Sequence, residues 1–509
     1  MKKLLAILAA GACLLAAQAE TLTPEQALRR AAGAQARALR GFPSARGMKL
    51  SRKVISPSTK EPVMYVFKGQ GSMIVAGADD NVQPVLGYIT GDVSGKMPPE
   101  MEWWLKQYAK QIDYMEAHPK KFPNRGQERN IRGDMTPIAP LMTSQWNQMA
   151  PYYDFAPVEN GTHCFTGCAA TAASQVMYYF KYPSTTLHGT LSCNWRGTTL
   201  TLPIDGKRFD WNNMKPVYTS GQYTAAEGNA VAFLMQAVGY AAKMNYSTSG
   251  SGAYTTDMLT ALKFFGYSDK AQYVRRGSTL TADWEKIIYD NLRDYGPVYY
   301  AGFSSDYSGG HAFVCDGYQG QGFFHFNWGW GGAYDGYFRL DALVPSGVGA
   351  GGNAGNYSYM QEVILYLAPP PTPTPTGKSP ISINGNLKAE RPDARGLVAF
   401  TSDATGGKMC VENVSGAEGA FVFAMEVTRK GGGGSPVYGP ASSRVTLKPG
   451  VGIRRLMLKL PANLADGTYV VRPVVSKAGE HSWQTLNHSE GAIASYSIVI
   501  KNGKAISVK

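Results

Sequence analysis

Four short segments of the chain carry residues able to do covalent chemistry. The first runs Gly161-Thr-His-Cys-Phe-Thr-Gly-Cys168-Ala-Ala-Thr-Ala-Ala-Ser-Gln175. A glycine-containing loop gives way at Cys168 to a helix-favouring run with Val176, Met177 and Phe180 on apolar positions. A cysteine at a helix N-terminus feels the positive end of the macrodipole, which lowers the thiol pKa and favours the nucleophilic thiolate. Read alone, the segment describes a buried structural cysteine equally well. The second segment, Ser308-Gly-Gly-His311-Ala-Phe-Val-Cys-Asp-Gly317, is a glycine loop, a histidine and a buried strand. A histidine there can reach across a cleft to a thiolate and act as its base or as the imidazolium of an ion pair. It stands 143 residues after Cys168, within the spacing of about 130–150 that papain-type enzymes use.

The third segment is Phe323-Phe-His-Phe-Asn327-Trp328-Gly-Trp330-Gly-Gly332. The Asn327 side chain can accept the His Nδ1 proton and so fix the ring. Trp328 and Trp330 are placed to shield that bond and wall the cleft, whereas His325, alternating with apolar residues, reads as structural. The fourth is Ser144-Gln-Trp-Asn-Gln148, where a glutamine amide can donate to an oxyanion beside the backbone N–H of Cys168. The residues alone leave Gln145 and Gln148 equally available. A zinc site from His163, Cys164 and Cys168 is disfavoured, because no second ligand pair follows at metal-binding spacing.

These segments need elements to hold them. Thr23-Pro24-Glu25 opens an Ala/Arg/Leu/Gln-rich helical run within residues 20–46, residues 62–92 alternate as hairpins around glycine turns, and Pro99 to Met115 reads as an amphipathic helix. Lys120 to Arg132 is a basic, protease-accessible junction. Ala368 to Gly377 is a Pro/Thr-rich spacer, and short alternating strands beyond it suggest a β-sandwich of about 130 residues. Met1-Lys2-Lys3, the apolar run Leu4 to Ala17 and the Ala17-Gln18-Ala19 site read as a secretory signal, so the protein is expected outside the cell with no integral membrane segment once the signal is cut. Removing Cys13 with it leaves five cysteines, an odd count that points to an unpaired thiol and is too sparse for a disulfide scaffold.

The length of 509 residues and 44% hydrophobic content allow several full-sized cores. The net charge of +13 invites a nucleic-acid reading, but it is unevenly spread. Residues 20–132 carry +7, residues 133–367 carry −4 and residues 368–509 carry +8. No nucleic-acid partner is therefore expected for the central unit, and a basic N-terminal region on an acidic neighbour implies salt-sensitive docking.

Taken together, Thr166-Gly-Cys168-Ala-Ala-Thr171-Ala-Ala-Ser-Gln175-Val-Met177, Gly309-Gly-His311-Ala-Phe-Val, Asn327-Trp328-Gly-Trp330-Gly-Gly332 and Asp335-Gly-Tyr-Phe-Arg-Leu-Asp341-Ala-Leu343 resemble the streptopain family of secreted bacterial cysteine peptidases. The resemblance spans about residues 140–367 and implies an α+β, papain-like, two-lobed peptidase domain over 133–367. It further implies an α+β propeptide over 20–132 that blocks the cleft, with the signal at 1–19, the linker at 368–377 and an all-β sandwich accessory domain at 378–509. It implies Cys168 as nucleophile, His311 as its partner, Gln148 rather than Gln145 as oxyanion donor, and Asn327 and Trp328 as supports of the histidine. Trp330, Gly310 and a mobile loop with Gly347, Gly349, Gly351 and Gly352 would line the cleft. Protein substrates and the chain's own propeptide are the implied partners, and no cofactor or metal is expected. Cys164 departs from the family pattern, which has small residues there, and a Cys164–Cys168 bond would switch such an enzyme off. Cys315 replaces an aliphatic strand residue and reads as inert packing.

Overall fold

The computed structural model describes residues 21–35, 41–80, 82–117, 135–276, 281–303, 310–340, 361–370, 379, 381–393, 395–402, 409–414, 418–430, 435–448, 450–480, 483–488 and 493–508. The signal, the basic junction, most of the Pro/Thr linker and the loop carrying Gly347, Gly349, Gly351 and Gly352 lie outside the described residues.

Helix α1 (Pro24–Gln35) packs on a meander of four antiparallel strands, β1 (Lys49–Ile55), β2 (Pro62–Gly69), β3 (Ser72–Gly77) and β4 (Val85–Thr90). The hairpins match the alternating pattern, but β1 was not anticipated. Its Leu-Ser-Arg-Lys run is exposed almost throughout, as an edge strand rich in cations can be. Helix α2 (Pro99–Ala117) follows, with Trp104, Tyr108 and Ile112 fully buried.

The central region supplies helices α3 (Cys168–Phe180), α4 (Ala225–Ala241), α5 (Thr255–Phe264) and α6 (Thr281–Tyr295). Besides two short two-stranded hairpins, it supplies to the main sheet the strands β5 (Gln272–Arg275), β6 (Val298–Phe303), β7 (Gly310–Gly320), β8 (Phe323–Asn327), β9 (Gly336–Arg339) and β10 (Gln361–Leu365). All ten strands form one sheet in the order β1-β2-β3-β4-β9-β8-β7-β6-β10-β5. The N-terminal meander therefore extends the central sheet. At the seam Tyr88 pairs with Tyr337 and Gly87 with Phe338. A Cβ on Gly87 would lie 2.3 Å from the Phe338 ring, so only glycine lets that ring cross the joint.

Strand alternation divides the core. Ala301, Ala312, Val314 and Ile364 face the lobe of α3, α4 and α5, while Tyr300, Phe313, Cys315 and Val363 face α2 and α6. The second core mixes both regions: the Trp104 ring meets Tyr300, Phe313, Phe326 and Trp328 at centroid distances of 5.0–6.4 Å. Burying a ring of that size contributes about 3 kcal/mol.

The C-terminal region is all β. Two three-stranded sheets and one seven-stranded sheet share an apolar core that includes Leu387, Phe400, Phe423, Met425, Val471 and Ile498.

Candidate active site

The head of α3 is built for close approach. Gly167 has φ of +87°, and a Cβ there would sit 2.7 Å from the Ser251 carbonyl oxygen. Only glycine turns the chain there and places Cys168 at the first helical position. Thr171 Oγ1 donates to the Gly167 carbonyl at 3.1 Å, and Ala169, Ala170, Ala172 and Ala173 are buried, so the helix lies flat beneath the thiol. Cys168 is a partly exposed free thiol, and the Ala312 N–H points at its Sγ from 3.4 Å.

His311 stands next to Ala312 on β7, opposite Gly302 of β6. One atom each of Cys168, His311 and Glu100 lie within 4.8 Å of one another. Glu100 is the second residue of α2 and buried; its Oε1 is 3.5 Å from His311 Nδ1. Burial opposes charge on His311, but hydrogen bonds to Cys168 and Glu100, and the charge of both, overcome it and push the imidazole up to about 10. The imidazolium therefore sits between two acidic partners.

Gln148 is buried and donates its Nε2 to Glu100 Oε1 at 3.4 Å. Gln145 is exposed and packs near Gly332 instead. The two glutamines that the residues left equal differ in setting: Gln148 is buried against Glu100 and Gln145 is exposed.

The Asn327–Trp330 segment departs from expectation. Asn327 Oδ1 accepts from Gln175 Nε2 and from the Gly329 N–H, both at 3.0 Å, and its Nδ2 donates to the Ser144 carbonyl at 2.8 Å. Among the described residues no bond joins it to His311, whose Nδ1 faces Glu100. Trp328 is not a cleft wall here. It is fully buried, donates its Nε1 to the Tyr334 carbonyl at 2.9 Å and packs on Phe313 and Phe326. The ring beside His311 is Trp103 of α2, at 6.3 Å, and it lies flush on Gly302, where a Cβ would come within 2.0 Å of it. Trp330 does face the site, through an Nε1 hydrogen bond to Glu100 Oε2. Gly310 opens β7 beside His311, paired with Phe303.

Cys164 and Cys168 are both free, so no bond between them closes the site. Cys164 is buried, with a thiol pushed up by burial, and Cys315 is buried with its thiol held well above the usual range for the same reason. His163 stacks on Tyr153 at 5.2 Å. His325 pairs with buried Asp316 at 2.6 Å. Burial again opposes its charge, and Asp316 overcomes it and raises the imidazole. Asp335 receives the Trp328 N–H at 2.9 Å; desolvation pushes its carboxyl up to about 7 against the pull of His325.

Sequence reasoning missed Glu100 and Trp103. Pro99-Glu100 reads as an ordinary helix start, where an acidic residue suits the macrodipole. No local signal marks a carboxylate that will reach a histidine 211 positions away.

Residues 146–338 match the model of the Peptidase C10 family. Streptopain of Streptococcus pyogenes serotype M1 is 33% identical over 358 residues, covering 65% of this chain and 86% of that protein. The thiol protease/hemagglutinin PrtT of Porphyromonas gingivalis is 32% identical over 335 residues, covering 61% of this chain and 37% of that protein. A solved fragment of prointerpain A from Prevotella intermedia superposes with a TM-score of 0.54 at 31% identity, covering 64% of this chain and 99% of the fragment. Likeness of this extent, over a chain that carries its thiol at a helix head against a strand-borne histidine, makes the protein a cysteine peptidase and a member of the Peptidase C10 family.

Proposed function

We propose that the chain is the zymogen of a secreted endopeptidase. In the processed enzyme the Cys168 thiolate attacks the peptide carbonyl carbon. The oxyanion takes hydrogen bonds from Gln148 Nε2 and from a backbone N–H at the head of α3. The His311 imidazolium gives its proton to the leaving amine, and water activated by His311 then releases the acyl-enzyme. Asn327 and Trp328 act as positioning residues: Gln175 ties Asn327 to α3, and Asp335 and the Tyr334 carbonyl hold Trp328.

The observation that carries this reading is the meeting of Cys168 and His311, far apart in sequence, with buried Glu100 as the third member. Glu100 also supports latency. Its carboxylate accepts the amide hydrogen bond that an oxyanion would take, and Trp103 covers the strand beside His311. A substrate cannot share that space. Residues 20–132 would then be the propeptide, cut within the basic junction, and residues 1–19 the export signal. Residues 133–367 form the peptidase unit, and 378–509, after the 368–377 linker, an accessory domain. Gly310, Trp330 and the loop bearing Gly347, Gly349, Gly351 and Gly352 would flank bound substrate. No helix among the described residues is long and apolar enough to cross a membrane.

The test is the full chain with Cys168→Ala. It should accumulate uncut and take no label from an epoxide thiol inhibitor. Processing and labelling that both persist unchanged would overturn the assignment of the nucleophile.

A further inference from the structure

Cys168, His311 and Glu100 together are also a metal-ligand set, and it is complete only while α2 is in place. Thiolate, imidazole and carboxylate are the donors zinc takes, at about 2.0–2.3 Å, and tetrahedral angles then put ligand atoms about 3.3–3.7 Å apart. The His311–Glu100 separation of 3.5 Å already fits, and all three donors lie within 4.8 Å of one another, so a shift of side-chain torsions closes the set. The outer contacts suit a ligand. Trp330 holds Glu100 Oε2, which leaves Oε1 turned toward His311 and Gln148. Hydrogen bonds of that kind orient metal-binding carboxylates.

Charge favours the ion as well. A divalent ion bound there, with the ligand protons released to solvent, would have thiolate, carboxylate and neutral imidazole around it and no net charge. A water takes the fourth position.

We propose that the uncut chain binds a zinc-type divalent cation between Cys168, His311 and Glu100, which staples the N-terminal helix to the catalytic pair and holds the zymogen latent. The inference rests on the zymogen reading but fails separately from it. The experiment uses the full chain kept uncut by Lys121→Gln, Arg125→Gln, Arg129→Gln and Arg132→Gln, with Cys168 intact. Cobalt(II), a spectroscopic stand-in for zinc, is titrated into it after chelator treatment. The expected result is a thiolate-to-cobalt charge-transfer band saturating at one ion per chain, with release of a proton. Glu100→Gln should weaken binding at least about tenfold, and Glu100→His, which keeps a donor, should restore it. Absence of the band, or equal affinity in the Glu100→Gln chain, overturns the metal site. Epoxide labelling of Cys168 in the processed, chelator-treated enzyme reports on the peptidase reading alone: if it persists without a cobalt band, the metal site is wrong and the peptidase stands.

Discussion

Two histidines of the same sheet each meet a carboxylate, one from a neighbouring strand and one from a helix. His325 and Asp316 come from adjacent strands of the central region and meet at 2.6 Å. His311 meets Glu100 at 3.5 Å across a helix contributed by the N-terminal region. In both, burial opposes the imidazolium and a carboxylate restores it. The first pair is a fixture, because both partners belong to one antiparallel ladder. The second spans two regions, and on the proposed zymogen reading it is a lock, because one partner would depart with the N-terminal region. The same electrostatic interaction can thus anchor a fold or, on the proposed reading, regulate it, depending on which segment carries the acid.

The sharpest way to separate the pairs is to remove each histidine. His311→Ala should lower kcat/KM for a peptide substrate by on the order of 10⁴-fold or more, as expected when a member of a catalytic unit is lost. His325→Ala should act through the amount of folded enzyme, with little change in kcat per active site by titration. A chemical defect of equal size in both would erase the distinction.

Removing each acid comes next. Asp316→Asn removes the hydrogen-bonded counter-charge of the His325 imidazole and should cost about 3–5 kcal/mol in denaturant unfolding of the full chain. Glu100→Gln should cost less, since its partner is partly solvated, and should instead speed epoxide labelling of the uncut chain by about tenfold. Equal destabilisation by the two variants would mean that Glu100 is a fixture too.

The smallest effect is a pH profile. The His311 imidazole is raised from its ordinary 6.5 to about 10 in the folded, uncut chain. A raised pKa contributes stability that is fully present below the unfolded value of about 6.5 and is lost as pH rises through about 10. Latency should therefore weaken a few-fold toward the alkaline end of that window, measured as the labelling rate of Cys168. The Glu100→Gln chain should show a flatter curve; an identical curve would remove Glu100 from the account.

Much of this was readable beforehand because the chemistry is local. Cys168 announces itself by a glycine turn and small residues on a helix start, and His311 by a glycine loop before an apolar strand. The helix from Pro99 and the hairpins of residues 62–92 follow from their periodicity. Glu100 was not readable, because its meaning comes from a contact 211 positions away. The partners of Asn327 were not readable for a related reason. Its type suits a histidine, but in the uncut chain Gln175 and Ser144 claim its amide. Charge counting predicted the sign of each region but not the joint, where aromatic rings and paired backbone do the holding. Net charge contributes there only at long range, screened over about 8 Å in physiological salt.

The seam between β4 and β9, with the Trp104 cluster beneath it, is made of backbone pairs and ring contacts that do not depend on the chain connection through the basic junction. On the proposed reading, a chain cut in that junction would keep its N-terminal piece as a bound ligand. What changes at the cut is molecularity. Before it, the tether would hold the N-terminal piece at an effective concentration on the order of millimolar. After it, the piece rebinds only in proportion to its own concentration. On the proposed reading, dilution after the cut would then release activity, and a high local concentration of the chain would hold it back.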